Sequence, residues 1–378
     1  MNNGNQGVNL IYICSFIILI IAARFVFPYG DEPDFIARSS ELFGLRDTLL
    51  FNPYDIFGHI INVDDSIKHG GICIIKSSTL SFWSVIGDGC TQEWYKNLNR
   101  GLYNVVFLTP FLLFLCVSLG GKSFISREAI LISLTFPGVL YYLGLFTNEQ
   151  FSLMMSLVSM YFISAGLLVT ILLCALIFIL DAGNAVVFTM VVGLYHYFRY
   201  LSRLLTFKKL VFVSLLIVAV CFTLNTKALD FFNTLPIIGQ KADAMSEQLD
   251  GSDFYAKYPL FLRPVITYMT FIYMSPAYIK SIPLYVFFII FIIYAFRISK
   301  SKRNNVGSPD LKVFLLAFFT STLSLVYMFP TYSNAKYYIF AFPAITQFFI
   351  NSVGANRVYI FYLTMTLFLF VNLLLYTL

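Results

Sequence analysis

The sequence predicts an all-α, polytopic transmembrane helical protein of about 10–12 spans, and three observations carry that prediction. Of its 378 residues, 59% are hydrophobic and 12% charged, against about 25% charge in a soluble domain. Apolar stretches of 15 to 20 residues recur from residue 9 to the end, the length that a helix needs to cross a bilayer. These runs are continuous instead of alternating, which excludes a transmembrane β-barrel. One transmembrane domain, 1–378, accounts for the chain, with no internal repeat, coiled-coil heptad or low-complexity tract.

The first apolar run, VNLIYICSFIILIIAARFVF, has no charge before it and no small-residue cleavage site after it, so it reads as a retained helix. Orientation comes from three basic connections: GKSFISRE at 121–128, RYLSRLLTFKK at 199–209 and RISKSKRNN at 297–305. By the positive-inside rule all three are cytoplasmic. The N-terminus is then cytoplasmic too, and residues 28–102 form a first extracytoplasmic loop.

From there LYNVVFLTPFLLFLCVSLG returns inward, and AILISLTFPGVLYYLGLF goes out to TNEQ at 147–150. The 30 apolar residues 151–180 are too long for one ordinary span and read as two short ones. That leaves DAGN at 181–184 outside. Residues 185–198 reach the basic loop, and LVFVSLLIVAVCFTL emerges into a second extracytoplasmic loop, 226–263. Two full crossings between 264 and 296 would strand RISKSKR outside. The parity therefore predicts one span at about 281–297, preceded by a re-entrant or interfacial helix at 260–278, and Pro264 and Pro276 permit other breaks there. Residues 311–329 go out to PTYSNAK, 337–353 come back, and 357–377 close the chain.

This layout brings Asp31 and Glu32, Asn148 and Glu149, Asp181, and Lys336 to one extracytoplasmic level, although only the basic loops were used to orient it. The first loop holds ten acids and six basic residues. A carboxylate at its mouth, held against apolar surroundings, gains proton affinity and suits a general base. Two adjacent carboxylates also suit a divalent cation, Mg or Mn, that neutralises a phosphate, and no other cofactor is implied. PDFIARSSELF reads as an amphipathic surface helix with Arg38 toward water or substrate, or as an ordinary loop start with an Asp34 to Arg38 ion pair. Glu149 at a helix boundary reads as a cap or a cavity residue, and Asp181 beside glycine as a turn or a binding group.

In the second loop, Arg263 at the re-entry point is the best phosphate ligand, because an interfacial guanidinium binds two phosphate oxygens. Lys336, among Tyr332, Tyr337 and Tyr338, either snorkels to lipid headgroups or pairs with a lipid phosphate. His59, His69 and His196 have no ligand spacing, and there is no Walker loop, GxGxxG, GxSxG or HExxH. Cys73 and Cys90 share the first loop, where a disulfide is compatible with an extracytoplasmic side. The net charge of +6 sits in short loops between spans, which fits inner-leaflet lipid contact and excludes a nucleic-acid partner.

The stretch YGDEPDFIARSSELF after a first helix resembles the start of the GT-C class of polytopic glycosyltransferases. GLFTNEQFSLMMSL resembles the Gly, Asn, acid motif that opens the fourth helix in membrane proteins of bacterial surface-polysaccharide clusters. SNAKYYIFAFPAI resembles a late basic-aromatic-proline stretch of that group, with Lys336 where Arg is more usual. The resemblance implies a GT-C-like enzyme of the bacterial inner membrane. Such an enzyme takes a sugar from a polyprenyl-phosphate or -pyrophosphate donor on the periplasmic face and gives it to a glycan or glycolipid acceptor in O-antigen or lipopolysaccharide biosynthesis, alongside other polysaccharide-assembly proteins. It implies a base or metal ligand at Asp31 or Glu32. The chain is also similar to Wzy-type O-antigen polymerases, which rely on outer-loop arginines, here Arg263 and Arg100. A lipid-linked glycan transporter or flippase is the alternative of another class; the absence of repeats and the gathering of charges at one surface weigh against it.

Overall fold

The computed structural model describes residues 3–27, 29, 93–116, 124–145, 148–163, 166–224, 259–272, 282–301, 308–329 and 335–377. Within them every regular element is helical. The helices are α1 (Asn3–Val26), α2 (Glu93–Cys116), α3 (Arg127–Ser133), α4 (Pro137–Gly144), α5 (Asn148–Phe162), α6 (Leu167–Leu180), α7 (Ala182–Leu201), α8 (Phe207–Leu224), α9 (Arg263–Thr270), α10 (Ile282–Ser301), α11 (Pro309–Met328), α12 (Phe342–Val353) and α13 (Ala355–Thr377), with single 3₁₀ turns at Leu260–Leu262, Ala335–Tyr337 and Ile339–Ala341.

Among the described residues α8, α11 and the Ala355–Leu375 part of α13 are long and apolar enough to cross a membrane, and shorter apolar helices accompany them. This is the make-up of a helical membrane protein. Burial sorts the helices. α11 packs against α7, α8, α9 and α12 at the centre. By contrast α6, α8 and α10 expose rows such as Leu168, Ile171 and Leu172, or Phe212, Leu215 and Leu216, surfaces that only hydrocarbon solvates without penalty.

Contacts define two ends of the bundle. At one end Tyr12 donates to Glu128 (3.4 Å), the Ser15 and Tyr359 hydroxyls meet at 2.5 Å, the Ser126 amide donates to Gln347 Oε1 (2.7 Å), and Arg199 pairs with Asp310 (3.3 Å). The helix ends that flank the basic connections gather there. At the other end Phe27 packs edge-on against Tyr141 and Phe370, and Phe222 against Tyr327. Asn184 and Lys336 border one cavity at this second end.

Three irregularities shape the interior. The segment expected as one outgoing span, AILISLTFPGVLYYLGLF, is two half-helices, α3 and α4, broken at Leu134–Phe136. Pro137 stands in the first turn of α4, where its missing N–H costs nothing. The break is buried, and its polar groups are answered: the amides of Thr135 and Phe136 donate to Ile132 and Ser133, and Thr366 Oγ1 donates to the Thr135 carbonyl (2.6 Å).

The run 151–180 is a hairpin of α5 and α6, which pack on each other. It turns at Gly166, whose φ of 141° favours glycine. Finally, α9 has eight residues and rises about 12 Å, well short of a crossing. It nevertheless enters the bundle, since its cap residue Phe271 is buried and stacks on Phe342. A Cβ added at Gly138 of α4 would stand 2.0 Å from the Phe271 carbonyl oxygen, so only glycine admits this approach.

Candidate functional site

At the second end a small cleft of about 10 Å³, room for about one water, lies between Tyr142 of α4, Ser152, Leu153 and Ser156 of α5, Asn184 of α7, and Lys336 and Phe340 of the turns before α12. Each wall has a local cause. The serines lie a turn apart on one face of α5. Ser156 Oγ donates to the Ser152 carbonyl (2.7 Å), whereas Ser152 Oγ is buried without a hydrogen-bond partner among the described residues.

Asp181 starts α7 as its N-cap. Its Oδ1 accepts from the Gly183 and Asn184 amides (2.9 and 3.2 Å), and its Oδ2 accepts from Asn184 Nδ2 (2.6 Å). The carboxylate therefore holds Asn184, and Asn184 lines the cleft. Lys336 Nζ lies 5.2 Å from the centre of the Tyr337 ring, within cation–π range. A Cβ at Gly183 would lie 3.5 Å from Tyr337 Cε1, which places Tyr337 beside the start of α7.

The sequence candidates separate accordingly. Asp181, Lys336 and Tyr337 come together here. Glu149 is the second residue of α5, the helix that brings Ser152 and Ser156 to the cleft. Arg263 opens α9, its carbonyl accepting from Thr267 Oγ1 (3.0 Å), and α9 packs against the 335–337 turn. Arg100 is half-buried on α2, one turn before Asn104. Asp31, Glu32 and Arg38 lie outside the described residues, as do Cys73 and Cys90 and the proposed surface helix, so the divalent-cation expectation lies there too. Among the described residues no three His, Cys, Asp or Glu side chains gather as a metal site.

Sequence reasoning missed a second polar cluster next to the cleft. Arg24 is 3% exposed; its Nη1 donates to the Gly144 carbonyl (3.1 Å) and its guanidinium lies 4.2 Å above the Tyr29 ring. Asn104 Nδ2 donates to the same carbonyl (2.9 Å). Gln150 Nε2 donates to Asn104 Oδ1 (3.0 Å) and to the Leu143 carbonyl. The last carbonyls of α4, which helix geometry leaves without partners, are thus capped by side chains from three other helices. Tyr29 stacks on Tyr141 at 5.2 Å, and Tyr141 meets Tyr142 edge-on at 5.1 Å. An arginine inside an apolar run was the available signal, because a buried charge at membrane depth calls for a specific partner.

No protein-family model, curated protein or solved structure matches the chain. Chemically, the cleft presents an ammonium, hydroxyls, an amide and two aromatic side chains. This lining is polar on one side and aromatic on the other, and it holds no carboxylate.

Proposed function

We propose that this chain is a GT-C-like membrane glycosyltransferase that moves a sugar from a polyprenyl-phosphate or -pyrophosphate donor to a glycan or glycolipid acceptor on the extracytoplasmic face of a bacterial inner membrane. One observation supports the reading: Lys336 and Asn184, the latter held by Asp181, line one small cleft, with Tyr337 beside the start of α7, at the bundle end opposite the basic connections. Among the described residues, three helices long enough to span, with shorter apolar helices beside them, are compatible with the proposed 10–12 spans and cytoplasmic N-terminus.

In this account the lipid tail lies along the apolar helices and the donor phosphate sits near Lys336, with Arg263 on the neighbouring α9. The acceptor hydroxyl oxygen attacks the anomeric carbon and gives its proton to a carboxylate. The bond from that carbon to the phosphate oxygen breaks, and the departing phosphate takes the electron pair under the stabilising field of the ammonium. The family resemblance gives that role to Asp31 or Glu32, which lie outside the described residues. Asp31 stands two residues after Tyr29 in the chain. Tyr29 itself stacks beside the cleft through Tyr141.

The test is transfer in polyprenyl-containing proteoliposomes supplied with host lipid extract and read by mass spectrometry of lipid-linked glycans. A new product longer by one sugar supports the transferase. A ladder of repeat-unit multiples would replace it with a Wzy-type polymerase. The broken α3–α4 helix and re-entrant α9 are also what a transporter builds around a midplane site. Glycolipid reaching the opposite leaflet without any covalent product would favour that reading.

A further inference from the structure

The cluster around Arg24 has a geometry that the proposed reaction does not use. The guanidinium is the point at which α1, α2, α4 and α5 meet. One edge donates to the Gly144 carbonyl shared with Asn104, and the plane covers Tyr29. A planar fork does both at once, which a lysine ammonium cannot. Gln150, bonded to Asn104 and to Leu143, stands two residues before Ser152. Leu143 directly follows Tyr142. The α4–α5 corner held by this network therefore carries two of the residues that line the cleft. Gly144 closes the arrangement, because a Cβ there would come 2.4 Å from the Tyr29 hydroxyl oxygen.

We propose that Arg24 is a positioning residue: by clamping Tyr29 and capping α4 it sets the α4–α5 corner, and through that corner the placement of Tyr142 and Ser152 in the cleft. The assignment of the cleft to the lipid-linked substrate rests on the transferase reading, but the clamp itself does not. Two substitutions disturb it from opposite sides. Arg24→Gln removes the charge and the stack, whereas Gly144→Ala pushes Tyr29 out while leaving Arg24 and the carbonyl in place. Arg24→Lys keeps the charge without the fork.

The test uses the full chain with its six cysteines replaced by alanine, carrying Ser152→Cys or, as a distant control, Ser352→Cys. Both positions are buried, at 1% and 0% exposure, and Ser352 lies at the far end of α12. A small water-soluble maleimide reports each opening. Arg24→Gln is expected to speed labelling at position 152 by about tenfold or more, the scale of losing one buried charge-assisted hydrogen bond from a local opening equilibrium, and Gly144→Ala, which displaces Tyr29, to speed it in the same direction. Position 352 stays protected, and Arg24→Lys falls between. In the native-cysteine chain the same variants raise the KM for lipid donor more than they lower kcat.

Unchanged labelling at position 152 in folded Arg24→Gln and Gly144→Ala overturns the proposal. Equal opening at 152 and 352 also overturns it, since Arg24 would then serve stability in general. If Arg24→Gln does not fold, Arg24→Lys and Gly144→Ala decide by the same criteria. The expected labelling pattern with no transfer by any variant leaves the clamp standing and removes the transferase.

Discussion

Asp181 holds Asn184 of the cleft lining and Lys336 belongs to that lining, and their surroundings predict opposite behaviour. The side-chain hydrogen bonds described for Asp181 run to the first turn of α7, so Asp181→Ala should lower stability by about 1 kcal/mol, the ordinary worth of an N-cap. Asp181→Asn should restore most of it. Thermal unfolding in detergent reads both, and transfer by Asp181→Asn should stay within a few-fold of wild type. Lys336 brings the cationic group to the cleft lining. Lys336→Ala should cost about 100-fold in kcat, the usual loss on removing one preorganised donor from developing charge. Lys336→Arg keeps the charge and should retain most of the rate. Sequence made both residues visible as acid-with-glycine and as lysine between apolar runs. It hid Ser152, Ser156 and Asn184, because small polar residues within helices look alike whether they line a cleft or pack a helix. Arg24, Asn104 and Gln150 were hidden for a related reason: their partners lie on other helices, and two of those partners are backbone carbonyls that any sequence would supply.

At the scale of elements, residue count was the most reliable guide. Thirty apolar residues had to fold back, and they do so at Gly166. Charge parity predicts a segment near 260–278 that does not cross; the described part of it holds the eight-residue α9, and 273–278 lie outside the described residues. The break between α3 and α4 escaped notice because proline in a first helical turn and proline kinking a continuous helix give the same local sequence. Only packing separates the two cases, and here it is the contact of α4 with the end of α9. Gly138→Ala places a methyl against the Phe271 backbone oxygen, which cannot rotate away, so a loss of roughly 1–3 kcal/mol is expected. Gly193→Ala on α7 meets nothing within 4 Å and should be neutral or stabilising. Parallel denaturation of the two variants checks the interlock. Equal stability would show that α9 does not press on α4.

Across the whole molecule, two ends of different chemistry organise the chain. One gathers Arg199, Asp310 and Glu128 beside the basic connections; the other gathers the cleft and the Arg24 cluster. In intact cells holding the chain with its six native cysteines replaced by alanine, an impermeant maleimide should label Ser333→Cys and spare Leu204→Cys, and the reverse pattern would invert the topology. Composition and loop charge made the membrane class and the two-ended layout readable. The cleft was not readable, since it forms only when α4, α5, α7 and the turns before α12 meet. The most direct test of the central claim is mass spectrometry of lipid-linked glycans made in proteoliposomes by wild-type and Asp31→Asn protein of equal folded yield. The account predicts a product longer by one sugar with wild type and its loss with Asp31→Asn. Undiminished product with both Asp31→Asn and Glu32→Gln, or no covalent product from wild type with any lipid-linked donor, would contradict it.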